Sequence, residues 1–321
     1  MNRTYINKIR SFMATNTVVP ILIICFLGAS IFVDTFFSMS NVLNLLNQNA
    51  MKGIMAIGMT FVIINGYFDM SIVTLMSLTA ALSSGLQPSL GTGLAIVVAL
   101  LVGTAVGAIN GFLVTKARIN AFVATLAMML GCRGASYIYS GEKTIIPKSE
   151  GFLAFGSGTV LGVSYISILF ILLLFVAHFV LRYTKHGRNT YAVGGNARSA
   201  FNAGIDCDKT TFINFVICGF TGGLGGVLYA AFLGAASPSV GWPDLHMMVI
   251  AAVVVGGCSL LGGIGNVWYS LGGVIILGMI SNVLNLLNVQ AYISTLCTGL
   301  IIIVVLYVDR VMHMNRKRKK T

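Results

Sequence analysis

The feature that most limits how this chain can fold is its succession of apolar runs of bilayer-crossing length. Residues 92–114, TGLAIVVALLVGTAVGAINGFLV, carry no ionisable side chain, and about 20 predominantly apolar residues let a helix span the hydrocarbon layer. In lipid every backbone N–H and C=O must be satisfied within the protein, which helices do by themselves. Counted on this basis, spans fall near 17–37, 42–66, 70–87, 92–114, 119–140, 163–183, 209–231, 244–260, 267–287 and 290–309. The expected fold is all-α: a polytopic integral membrane protein of about 10 transmembrane helices with broken segments, in a single domain over 1–321.

A charged share of 9%, against roughly 25% in soluble globular domains, agrees with this. The net charge of +12 raises the question of nucleic acid, and the placement of the basic residues answers it. Arg3, Lys8 and Arg10 precede the first run, Arg310, Arg316, Lys317, Arg318, Lys319 and Lys320 follow the last, and most others flank two interior loops. Membrane orientation and anionic lipid explain that pattern, so membrane lipid is an expected partner and nucleic acid is not. The positive-inside rule puts both termini, Lys116 and Arg118, and the polar stretch 182–208 in the cytoplasm, and the 142–150 loop outside. The first apolar run continues to Phe37 with only Asp34 interrupting it, so an uncleaved first span is expected rather than a signal peptide.

The stretch 182–208, RYTKHGRNTYAVGGNARSAFNAGIDCD, is a polar island. It suits a short helix lying across the membrane face, with Asn196 as N-cap and Gly204 as C′ residue. An ordinary linker and a docking surface for a soluble partner both fit this chemistry. Gly103-x-x-x-Gly107-x-x-x-Gly111, Gly219 to Gly226 and Gly272-Gly273 to Gly278 read as close-packing helix faces. Gly256 to Asn266 carries so much glycine that broken helix is expected there. The heptad Asn41-Val-Leu-Asn-Leu-Leu-Asn47 recurs as Asn282 to Asn288, either as the trace of a duplication or as two interfacial helices.

Ionisable groups inside spans are costly, so each is a candidate site. Arg133 in the fifth span could meet a polar solute or bond loop carbonyls. Asp69, with Ser71 after it, suits a helix N-terminus. His246 could line an entrance or belong to the aromatic interface. Lys52 is read as lying near the outer end of the second span, snorkelling. The cysteines are scattered without metal spacing and read as small apolar residues. The sequence has no Walker A pattern, metal-ligand cluster or nucleophile with its base, so neither cofactor nor metal is expected and the chain is not expected to be an enzyme. Uncharged amides, Asn110 among them, suit a neutral hydroxyl-rich solute or interhelical bonding.

Several motifs are similar to those of the permease subunits of bacterial ATP-binding-cassette importers for ribose, xylose, arabinose and galactose. They are Ala56-Ile57-Gly58-Met59-Thr60-Phe61-Val62-Ile63 with Gly66-Tyr67-Phe68-Asp69-Met70-Ser71, then Arg133-Gly134, His186-Gly187-Arg188, Ala192-Val193-Gly194-Gly195-Asn196, Gly204-Ile205, and the run Ile250 to Gly265. The resemblance covers essentially the whole chain. It implies a permease in the bacterial inner membrane that works with a second copy or paralogue. The implied partners are a cytoplasmic ATP-binding-cassette ATPase, which hydrolyses the ATP, and a periplasmic or extracellular sugar-binding protein. The cargo would be a pentose or hexose. The resemblance makes about 184–208 the ATPase-coupling region, through Arg188, Gly194, Gly195, Asn196, Arg198 and Gly204, and leaves Asn65, Asp69, Ser71, Arg133 and His246 for the translocation pathway. Two departures stand out. The family's Gly-Gly-Ile-Asp is Gly66-Tyr67-Phe68-Asp69 here, and its Glu-Leu-Asp before Ile-Ala-Ala is His246-Met247-Met248. The competing class is an ion-coupled secondary transporter of a small neutral solute, which needs buried carboxylates.

Overall fold

The computed structural model describes residues 18–33, 35–241, 244–290, 292–300, 303, 304 and 307. The basic N-terminal residues, the Arg/Lys tail, Asp34, Trp242 and Pro243 lie outside the described residues, as does most of the tenth expected span after 300. The helices are α1 (Val18–Phe32), α2 (Met39–Ile64), α3 (Ile72–Gly85), α4 (Gln87–Thr115), α5 (Ala121–Ser140), α6 (Glu150–Ser157), α7 (Tyr165–Tyr183), α8 (Lys185–Gly195), α9 (Ala197–Asn202), α10 (Cys207–Leu233), α11 (Leu245–Val255) and α12 (Val267–Leu286). Residues 292–300 are helical as well. Between α6 and α7, Thr159–Val160 (β1) pairs antiparallel with Val163–Ser164 (β2). The turn is tight because Leu161 and Gly162 both take positive φ, the backbone of a two-residue type I′ hairpin.

Among the described residues five helices, α4, α5, α7, α10 and α12, are long and apolar enough to cross a membrane, and the chain is an all-helical, multi-pass membrane protein. The expected spans 70–87 and 244–260 are shorter than read from the sequence. α3 has 14 residues and α11 has 11, too few to cross alone. The rest of each span is irregular backbone, at 65–71 and 256–266. Such backbone is tolerated at membrane depth only where protein covers it; Asn65, Asp69, Met70 and Ser71 of the first stretch are buried, whereas Leu260, Leu261 and Ile264 of the second are exposed.

α10 is the axis of the bundle and packs on α2, α3, α4, α6 and α8. Its seam with α4 is the glycine face expected from the sequence. A methyl on Gly103 would lie 2.8 Å from the Gly223 Cα and 2.9 Å from the Gly219 carbonyl oxygen, and one on Gly219 would lie 2.6 Å from the Gly107 Cα. The two backbones touch there because neither helix has a side chain to hold them apart. The outside of the bundle is apolar: Leu94, Leu101 and Phe112 on α4 and Leu172, Phe175 and Phe179 on α7 are all exposed, as surfaces facing lipid should be. On the inner side, α12 packs on α1, α2 and α11.

The repeated heptad occupies two different places. Its first copy opens α2 and its second closes α12, and their leading residues form a reciprocal amide pair. Asn41 Nδ2 donates to Asn282 Oδ1 at 3.0 Å and Asn282 Nδ2 to Asn41 Oδ1 at 2.8 Å. Satisfying one another inside an apolar interface is reason enough for two asparagines to recur.

Candidate functional site

Two regions gather the polar side chains. The first is the island, which forms two short helices instead of one. Thr184 caps α8, its Oγ1 accepting from Gly187 N at 3.2 Å. Asn196 ends α8 and starts α9, its Oδ1 accepting from Ser199 N at 2.9 Å, so the expected N-cap is where it was placed. Gly204, at φ 79°, closes α9, with its N–H bonded to Phe201 O at 2.9 Å. Arg188, Gly195, Asn196, Arg198, Phe201 and Gly204 are exposed, so the polar rim of α8–α9 faces solvent.

The opposite side of α8 is fastened to the bundle. His186 Nε2 lies 2.8 Å from Asn214 Oδ1 of α10, and its ring stacks on Phe61 at 6.4 Å. Burial lowers the His186 pKa, and the bond to Asn214 opposes this in part. Thr190 shares Asn214 at 3.3 Å. Tyr191 donates its hydroxyl to Gly265 O at 2.8 Å, and burial pushes its pKa up to about 12.

The end of α8 enters a junction of three backbones. Gly263 N donates to Ile64 O at 2.8 Å, joining the turn after α11 to the end of α2. Gly194 fills the corner between them: a Cβ there would overlap the Ile64 carbonyl oxygen and come within 2.8 Å of Gly263 N. A Cβ on Gly262 would in turn lie 2.6 Å from Gly194 O and 2.9 Å from Gly66 Cα. The neighbouring Gly195 is different, since a Cβ there meets nothing within 4 Å.

The second region lies on the 65–71 turn. Asp69 is 1% exposed. Its Oδ1 accepts from Ser71 N at 2.8 Å and Ser71 Oγ at 2.6 Å, and its Oδ2 from Asn110 Nδ2 of α4 at 3.3 Å. Ser71 and Asn110 surround the carboxyl group with hydrogen-bonding partners, and α3 begins directly after it, as expected for a helix N-terminus. Asn110 Nδ2 also reaches Ser71 Oγ at 3.0 Å, and Asn65 Nδ2 bonds Thr211 Oγ1 of α10 at 2.8 Å. Asn110 thus ties Asp69 and Ser71 to α4, and a separate buried bond ties Asn65 to α10. Below it, a cleft of about 480 Å³ is lined by Gly66, Tyr67, Phe68, Arg118, Asn120 and Phe122. Arg118 binds Asp208 at the start of α10 through both guanidinium nitrogens, at 3.0 and 3.1 Å, with Lys116 3.4 Å from the same carboxylate.

The other expected pathway residues lie on other helices. Arg133 is on α5, its guanidinium carbon 5.7 Å from the Tyr137 ring centroid. His246 is buried in the first turn of α11. Lys52 follows Asn47 by five residues on α2, and Asn47 Oδ1 accepts from Ser164 N and Ser167 Oγ at the start of α7, so Lys52 lies toward the end of the bundle where α7 begins, in contact with a crevice between α11 and α12. The sequence also gave no notice of Asn214 and Thr211 as anchors, although each is a polar residue inside an apolar run.

A family model described as the permease component of branched-chain amino acid transport systems matches residues 41–306. The chain belongs to this permease family. It is 35% identical to the ribose import permease protein of Haemophilus influenzae over 312 residues, 96% of this chain and 94% of that one. It is 36% identical to the ribose import permease protein of Bacillus subtilis over 292 residues, 90% of each. It is 34% identical to the L-arabinose transport system permease protein of Escherichia coli over 303 residues, 93% of this chain and 90% of that one. No solved structure matches. The 65–71 turn is irregular and largely buried backbone, and the end of α8 packs against the end of α2 beside it.

Proposed function

We propose that this permease is the membrane subunit of an ATP-driven, binding-protein-dependent importer that carries a monosaccharide across the bacterial inner membrane. Two permeases, the chain with its own copy or a paralogue, stand side by side in the lipid. A binding protein delivers sugar from outside and a cytoplasmic ATPase docks on the face that carries α8 and α9. Both termini lie on that face, and about ten spans complete the single domain. The family match and the ribose and arabinose relatives support the permease assignment.

The observation that carries the coupling assignment is the junction of Gly194 with Ile64 and Gly263. The exposed rim of Arg188, Gly195, Asn196, Arg198 and Gly204 receives the ATPase. The buried side of the same helix has no slack: a push on α8 meets the backbones of α2 and of the turn after α11 directly, and both must move with it. Rigid-body displacement of packed elements is a standard way to exchange access between two sides. Asn65, Asp69 and Ser71 then form part of the moving turn, and Arg133 and His246 belong to the opposite end of the path.

Purifying the chain from its native host tests the reading. The expected result is co-purification of an ATPase, with hydrolysis in reconstituted vesicles stimulated by sugar-loaded binding protein. Uptake by the purified chain alone, driven by a proton or sodium gradient, would overturn it.

A further inference from the structure

Between Glu150 and Arg182 the sequence has no Asp, Glu, Lys or Arg, although α7 begins only at Tyr165. The uncharged stretch therefore takes in nearly all of α6 and the β1–β2 hairpin as well as the span. On α7 the exposed residues Tyr165, Ile168, Leu172, Phe175 and Phe179 recur at intervals of three and four, which makes them one stripe of the helix. Tyr183 ends it. The two tyrosines are about 27 Å apart at 1.5 Å per residue, close to the roughly 30 Å of hydrocarbon in a bilayer, and tyrosine favours the two levels where hydrocarbon meets headgroups. Tyr165 thus marks that level at the end of the bundle away from α8.

The hairpin is fastened at this mark. Tyr165 N donates to Gly158 O at 3.0 Å, and the Phe155 ring of α6 stacks on Tyr165 at 5.7 Å. At the tip Leu161 is 98% exposed, with Val160 half-exposed beside it. Water gives a leucine no reason to be there. A type I′ turn favours Asn, Asp or Gly at this position, and at φ 51° the leucine Cβ crowds the following carbonyl. We propose that the hairpin tip inserts into the bilayer at the boundary of acyl chains and headgroups, and that Val160 and Leu161, with Phe155 and Tyr165, anchor α6 in lipid. The occupant is lipid rather than a soluble protein because the patch continues the α7 stripe with no charge between them. Transfer of apolar surface out of water holds it there. On its other side α6 is wedged on α10, where a Cβ on Gly156 would overlap the Ala231 carbonyl. α6 is therefore pinned between lipid and the axis of the bundle.

The test is electron paramagnetic resonance of the full-length chain in phosphatidylcholine vesicles. A nitroxide is attached through Leu161→Cys, with the partly exposed Cys25, Cys207 and Cys297 replaced by alanine; its apolar ring takes the place of the leucine. Labels at Phe175→Cys on the stripe and Lys143→Cys in the exposed loop serve as lipid and water references. Relaxation at 161 should be faster with oxygen than with a water-soluble nickel chelate, in a ratio nearer that of 175 than that of 143. A ratio no higher than at 143 would put the tip in water and overturn the proposal. So would a label shielded from both reagents and broadened by a second label, which would place another copy of the chain on the hairpin. Leu161→Asn gives a test of opposite sign. In water asparagine improves the turn and slows hydrogen exchange of the 159–164 amides, whereas loss of the lipid anchor in vesicles should speed it. Equal or slower exchange than in the parent would overturn the anchor.

Discussion

At the α4–α10 seam, Gly103, Gly107, Gly219 and Gly223 are ordinary helical residues, and what matters is the side chain they lack. At the junction of α8 with the two turns, Gly66, Gly262 and Gly263 have φ of 90°, 83° and 73°, a region that only glycine enters freely, and what matters is backbone freedom. The seam lets two long helices touch along several turns and so sets the shape of the bundle. The junction lets three pieces of chain meet at one point, where regular helix on any of them would keep the others away. Glycine in a membrane protein therefore carries two kinds of information, and the sign of φ separates them.

The largest effect should come from the seam. Gly107→Leu drives a side chain into the Phe215 carbonyl and the Gly219 backbone. Overpacking costs about 1–3 kcal/mol and occasionally more, against a total stability of about 5–15 kcal/mol. Most of the protein should be lost from the monodisperse peak in detergent size-exclusion chromatography. Full recovery of that peak would mean that the helices do not touch.

The junction should respond differently, in function before stability. Gly194→Val should reach the membrane at normal levels, yet lower ATP-driven uptake by about tenfold, a change of about 1.4 kcal/mol in coupling, while hydrolysis by the associated ATPase continues. Gly195→Ala, one residue on, has open space around its Cβ and should stay within about 0.5 kcal/mol of the parent, as most exposed substitutions do. Equal behaviour of the two in the uptake assay would remove the distinction between them.

The smallest effect is a pH dependence at the bolt between α8 and α10. Burial holds the folded His186 below its unfolded value, which is near 6.5. Between those two values the unfolded chain binds more protons, so the contribution of His186 to stability is complete above about pH 6.5 and is lost as pH falls below it. The thermal midpoint of the parent should drop more steeply from pH 7 to pH 5 than that of His186→Gln. Parallel curves would show that the ring is not held neutral.

Several of the spans, the α4–α10 seam and the polar island were legible because each rests on local chemistry: hydropathy, helical spacing of small residues, and charge. What stayed hidden depends on partners far apart in the chain. Gly194 and Gly195 are indistinguishable letters until Ile64 and Gly263 are placed beside one of them. Asp69 was readable as a helix-start residue, but Asn110, which completes its cradle, is one of many asparagines in apolar runs. The α6 helix and its hairpin were missed because eight residues and a four-residue ladder are too short to show a period.

The amide pair of Asn41 and Asn282 acquires a mechanical meaning from its position. α2 is clamped there at one end, while its other end abuts Gly194. A rod held at one tip and driven at the other swings about the held tip, so displacement grows in proportion to distance from the fulcrum. Lys52, halfway along, would travel about half as far as Ile64. A stroke delivered at α8 would thus fall to half its amplitude at mid-helix, and the two asparagines would set that gearing.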